Sequence, residues 1–153
     1  MSNTRIAYSS IAPEALKPLL SLGAHVRRSG LSPALVHLID ARVSQINGCA
    51  YCVDMHTKDA RAAGETEQRL YALAVWRETP FFSDVERAAL AWAEAVTELG
   101  REGVPDAVYA EARKHFDERA LVDLTLAVAT INAWNRIAIS FRFEAGTYQV
   151  AAR

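Results

Sequence analysis

Cysteine is scarce in this chain: 153 residues carry two, Cys49 and Cys52. A scaffold stapled by several disulfides is therefore excluded, and no second cysteine pair exists to complete the usual four-ligand zinc site. Charge of one sign is lacking too. The formal net charge is −1, so no overall basic field exists to attract nucleic acid or an anionic lipid surface. No apolar run is long enough to span a membrane, and the N-terminus does not have the form of a signal peptide. A membrane role is not expected, and the cytoplasm is the expected compartment. Strand-like alternation, internal repeats, low-complexity linkers and composition breaks are all missing, as is a nucleotide-binding glycine pattern. The glycines read as caps and turns. No resident cofactor is expected, and a nicotinamide or flavin would have to act through a separate reductase.

What is present is helical. Hydrophobic residues make up 51% of the chain and charged residues 23%, ordinary values for a globular protein, and the length suits one domain over residues 1–153. Ser9 to Pro13 reads as a polar lead-in. Pro13-Glu14 opens an amphipathic stretch ending at Gly30, and Ser32-Pro33 starts a second that Asn47-Gly48 interrupts. A third helix is expected from near Cys49 to about Ala63, with Gly64 as its stop. Thr66 and Glu67 begin a fourth that Thr79-Pro80 breaks. Ser83 with Glu86 resembles a capped start for the fifth, and Pro105 opens a sixth that ends near His115. Glu118 to Phe143 is the longest apolar run, and its continuous apolar character points to burial on several sides. The expected fold is all-α: a single-domain bundle of six to eight helices with the Cys-x-x-Cys at the start of a central helix.

The chemistry concentrates between Gln45 and His56. On a helix, steps of roughly 100° per residue place Cys49, Cys52 and His56 within about 60° of one another. A Cys-x-x-Cys pair can close a small disulfide, and a nearby histidine can take or give the thiol proton. In a reducing compartment that pairing points to redox chemistry or metal. Cys49 follows Asn47-Gly48 and stands at a helix N-terminus, where the macrodipole favours a thiolate. Cys52 has His56 one turn on as a base. The two arguments nominate different nucleophiles. Upstream, His37, Asp40 and Ser44 share a helical face and are candidates for a proton relay. Three readings of the motif compete: a thiol redox or peroxidatic site, half a zinc site completed by His37 or a partner chain, and two inert structural thiols.

The segment Ser44 to Ala60, SQINGCAYCVDMHTKDA, resembles the core motif of the alkylhydroperoxidase D-like proteins of the carboxymuconolactone decarboxylase superfamily. Ala63-Gly64-Glu65 and Ile131-Asn132-Ala133-Trp134-Asn135-Arg136 also match that family's habit, and the likeness extends over about residues 13–143. It implies an all-α fold assembled as a trimer or hexamer. It also implies a peroxidase acting on an organic hydroperoxide or hydrogen peroxide, recycled by a dithiol reductant or a separate reductase protein. By the resemblance Cys52 is the peroxidatic thiol, Cys49 the resolving thiol, and His56 part of the proton relay. One position departs from the pattern. The family commonly has a glutamate twelve residues before the first cysteine, and here that residue is His37. Histidine titrates in the useful range but supplies no fixed negative charge. Either His37 takes over the relay, Asp40 one turn away substitutes, or activity is weak.

Of the Trp134-Asn135-Arg136 run, Trp134 is expected in core or subunit interface and the other two as helix caps or bridges. Trp76 and Trp92 are expected in the core. The competing functions are a non-catalytic redox sensor or metal-binding module and, further off, a lactone decarboxylase, whose chemistry does not need the intact thiol pair.

Overall fold

The computed structural model describes residues 4–150, and among these the regular structure is entirely helical. Eight α-helices follow in order: α1 (Tyr8–Ile11), α2 (Pro13–Arg27), α3 (Pro33–Asn47), α4 (Ala50–Ala62), α5 (Glu67–Ala72), α6 (Asp84–Thr97), α7 (Asp106–His115) and α8 (Glu118–Phe141). A 3-10 segment, Leu73–Glu78, continues α5.

The starts are set by local chemistry. Ser32 accepts the Leu35 N–H at 3.1 Å, with Pro33 in the first turn of α3. Ser83 and Glu86 form a reciprocal capping box at α6, and Asp117 caps α8 through the Ala120 N–H at 2.8 Å. Three boundaries differ from the sequence reading. The polar lead-in contains the short turn α1. The fourth helix tightens to 3-10 after Ala72, where Val75 leaves helical geometry (φ −122°, ψ 30°). Its neighbour Trp76 donates its indole N–H to Glu94 Oε1 at 2.9 Å. The last helix stops at Phe141, because Arg142 turns left-handed (φ 55°) and the chain folds back.

The α3 helix is the hub, packed against α4, α6 and α8. Leu38, Ile39 and Val43 on α3, Leu90 on α6, and Leu124, Val128 and Ile131 on α8 are fully or almost fully buried in one continuous core. Each such side chain contributes about 1.5–3 kcal/mol by leaving water. The α8 helix also touches α2, α4 and α7, which explains why its sequence is apolar on more than one side. Trp76 and Trp92 lie in the core, and the Trp92 indole donates to Thr125 Oγ1 at 3.1 Å. Among the described residues, no helix is long and apolar enough to cross a membrane.

Candidate active site

The site is built on the hairpin of α3 and α4. Gly48 ends α3 at φ 68°, a conformation that glycine adopts without a Cβ penalty. The chain then reverses, and Cys49 enters as the N-cap of α4 with extended geometry. Its sulfur accepts the Cys52 N–H at 3.4 Å, the task a serine or aspartate usually performs at this position. Such a helix start favours negative charge, so the reduced Cys49 sulfur is biased toward thiolate. The two cysteines are joined as a disulfide with Cα atoms 5.3 Å apart, and each is only 2% exposed. Cys49 thus reaches the stripe from the cap, while Cys52 and His56 lie within the helix.

A set of side-chain amides, half-buried at Asn47 and Asn132 and fully buried at Asn135, ties the hairpin to α8. The Asn47 side-chain N–H₂ donates to Asn132 Oδ1 at 2.9 Å and to Asn135 Oδ1 at 2.8 Å. Asn135 in turn donates to Ser44 Oγ at 3.1 Å, and both Asn135 and Ser44 have no exposed surface. Asn135 is therefore the helix bridge that its position suggested. Arg136 is not, since its guanidinium bonds back to Asn132 on the same helix.

In front of the disulfide lies a cavity of about 420 Å³, a size suited to a small organic ligand. Its walls come from α2, α3, α4 and α8. Cys52, His56, His37 and Asp40 all line it, and Cys49 does not. The antiparallel hairpin explains the gathering: Asp40 and His56 stand equally far from Gly48 along the chain, as do His37 and Asp59, so both pairs come to the same cavity. His56 Nδ1 and Asp40 Oδ2 are 3.7 Å apart, within ion-pair reach but too long for a direct hydrogen bond. His56 Nε2 is buried with no hydrogen-bond partner among the described residues. Apolar neighbours such as Met55, Ile131 and Trp134 complete the lining.

Burial sets the electrostatics. Desolvation pushes the His56 imidazole down to about 4, against a lesser opposing pull from Asp59. The same cause pushes the Asp40 carboxyl up to about 7, resisted by Arg27 and assisted by Asp59. At neutral pH a neutral imidazole therefore faces a carboxyl close to half protonation. His37 occupies a boundary: it also lines a second cleft of about 330 Å³ whose other walls include Glu65, Arg69 and Glu86. Among the described residues no group of three or more His, Cys, Asp or Glu side chains has an arrangement that could hold a metal ion.

Several residues around the site were not marked by sequence pattern. Tyr8 and Tyr51 line the cavity and both pack on Phe143, Tyr8 stacked at 4.5 Å and Tyr51 edge-on at 5.2 Å. The segment after Gly146, weakly specified in sequence, is tied along α4. The Gly146 N–H donates to Asp54 Oδ2 at 3.0 Å, Lys58 Nζ donates to the Tyr148 carbonyl at 3.1 Å, and the Tyr148 hydroxyl donates to Asp59 Oδ1 at 2.7 Å.

Comparison with known proteins is consistent with this architecture. The sequence pattern of the carboxymuconolactone decarboxylase family matches residues 13–95. An uncharacterised protein of Bacillus subtilis (strain 168), YdfG, is 46% identical over 136 residues, covering 89% of this chain and 92% of that protein. A crystal structure from Agrobacterium tumefaciens superimposes with a TM-score of 0.91 at 44% identity, covering 95% of this chain and all (100%) of the other. That protein is described as of unknown function and assigned provisionally to AhpD-type antioxidant defence. A more distant structure, the alkylhydroperoxidase AhpD core of an uncharacterised peroxidase-related protein from Ralstonia eutropha JMP134, has a TM-score of 0.79 at 20% identity. It covers 91% of this chain and 74% of its own, and at that identity it speaks for the fold alone.

Proposed function

The chain belongs to the carboxymuconolactone decarboxylase family as an alkylhydroperoxidase D-like member, and we propose that it is a thiol peroxidase working through a Cys49–Cys52 disulfide cycle. The observation that carries this reading is that Cys52, His56 and Asp40 open onto one largely apolar cavity while Cys49 stays behind them, bonded to Cys52. In the reduced protein the Asp40 carboxylate is the base: the Cys52 thiol proton passes to it through the neutral His56 imidazole, which relays the proton without keeping it. The thiolate attacks the terminal peroxide oxygen, the O–O bond breaks, and the departing alkoxide takes a proton and leaves as alcohol. Cys52 is then a sulfenic acid. Cys49, as thiolate at the helix start, attacks that sulfur, hydroxide leaves and is protonated to water, and the disulfide forms. An external dithiol, directly or through a separate reductase protein, returns two electrons and two protons.

In this reading Asp40 takes the relay role at which His37 departs from the family pattern. Near neutral pH its carboxyl exists in both protonation states, so it can hold the proton destined for the alkoxide and be recharged from His56. His37, facing both cavities, connects the relay toward the second cleft. Neither role needs a metal or an organic cofactor.

The test is steady-state consumption of cumene hydroperoxide or hydrogen peroxide with dithiothreitol as reductant. Many turnovers per protein, abolished in Cys52→Ser, are expected. Loss of a single equivalent of peroxide followed by arrest would instead identify a sensor that oxidises once. No reaction of the reduced thiols would remove the peroxidase reading altogether.

A further inference from the structure

The cavity contains one lysine or arginine side chain, Arg27, in the last turn of α2. The rest of the wall is largely apolar: Leu19, Leu20 and Val26 on the same helix, Val36 on α3, Ile131 and Trp134 on α8. Arg27 is exposed and makes no hydrogen bond or ion pair with any described residue, unlike Arg42, Arg69, Arg77 and Arg119, which all pair with carboxylates. One turn earlier, Gly23 also lines the cavity, and a Cβ there would stand 3.6 Å from Arg27 Nη1. The guanidinium thus lies along the open edge of an apolar chamber with its five donors unclaimed.

We infer that the cavity takes an amphipathic carboxylate, with the apolar body in the chamber and the carboxylate on Arg27, so that the hydroperoxides turned over are those of aliphatic carboxylic acids. The inference rests on the peroxidase reading for its second clause only. Charge sets the orientation. Asp40 and Asp59 also line the cavity, so an anion seated away from the guanidinium meets carboxyl groups, and the Asp59 oxygen is already held by the Tyr148 hydroxyl. The carboxylate is therefore favoured only at Arg27, which leaves the uncharged hydroperoxide group to approach Cys52. A bidentate guanidinium–carboxylate pair at an exposed edge discriminates modestly, about three- to fivefold in affinity.

Two measurements separate the clauses. Isothermal titration of the oxidised protein with decanoate and with decanol reads binding without chemistry. Decanoate is expected to bind about three- to fivefold tighter than decanol, Arg27→Gln to level the two, and Arg27→Lys to keep part of the preference. Equal affinities in the wild type, no binding of either probe, or a preference untouched by Arg27→Gln would overturn the inference and leave Arg27 as a helix-end cation. Turnover of a hydroperoxydecanoate against its methyl ester is expected to show the same ratio in kcat/KM. Preferential decanoate binding without turnover of either peroxide would sink the peroxidase reading while the carboxylate site stands. Turnover of acid and ester at equal kcat/KM would do the reverse.

Discussion

Replacing Asp40 with asparagine is expected to make the protein more stable and less active, and the gain in stability should depend on pH. The side chain is shut between α3 and α4, and burial raises its pKa from the ordinary 3.8 to about 7. A carboxyl of this kind contributes stability that is fully present below 3.8 and is lost as pH rises through about 7, because the folded state holds a proton that the unfolded chain releases. At ~1.36 kcal/mol per tenfold change in proton affinity, the full loss has an upper bound of about 4 kcal/mol. The side chain is still 20% exposed, and water at that edge reduces the expected penalty to about 2 kcal/mol. Asparagine has the same shape and no charge to desolvate. Thermal unfolding of the oxidised proteins should therefore give Asp40→Asn a Tm roughly 4–8 °C above wild type at pH 8, and within about 1 °C of it at pH 4. Peroxidase turnover of Asp40→Asn should fall by about a hundredfold or more, the usual scale for losing a proton-transfer group. A Tm gain equal at both pH values, or none at pH 8, would refute the claim that Asp40 is held against its charge. Unchanged turnover would refute its part in the relay.

Other consequences follow from the same geometry. Asn135→Ala leaves the half-buried Asn47 amide without one of its two acceptors and the buried Ser44 hydroxyl without its donor, and urea denaturation should show a loss of about 2 kcal/mol; a loss below 1 kcal/mol would mean that water replaces the bridge. Gly48→Ala meets nothing within 4 Å, so its cost is the left-handed backbone alone, about 1 kcal/mol by the same assay. His56 refuses a proton that the unfolded chain accepts, so wild-type stability should fall as pH drops from 6.5 toward about 4. The substitution His56→Gln should flatten that acid limb of a Tm–pH curve, and an unchanged limb would contradict the burial argument.

The helices could be read from the chain because their ends are written in local chemistry. Ser32-Pro33, Ser83 with Glu86, and Gly48 act on neighbours within a turn, and each performs in the fold the task its residue type implies. The site was legible where it too is local: Cys49 at a cap, Cys52 and His56 one turn apart. His37 and Asp40 were visible as a helical face, but the hairpin register that sets Asp40 3.7 Å from His56 was not. Arg27 carried no signal at all. It belongs to α2, and only the packing of α2 on α8 brings it to the cavity. The packing of Tyr8 and Tyr51 on Phe143, and the Tyr148–Asp59 bond, were equally hidden. Such contacts join residues far apart in sequence, and neither periodicity nor capping rules reach that distance. The break at Val75 was missed because Trp76 gives up helical spacing to reach Glu94, a tertiary bond overriding a local pattern.

The central claim is that Cys52 meets the peroxide and Cys49 resolves it. Intact mass with a sulfenate trap, after one equivalent of organic hydroperoxide on reduced Cys49→Ser and Cys52→Ser proteins, tests that claim most directly. A trapped sulfenate in Cys49→Ser and none in Cys52→Ser, with both thiols lost in the wild type, is expected. A sulfenate appearing only in Cys52→Ser, or wild-type thiols that survive the peroxide, would contradict it.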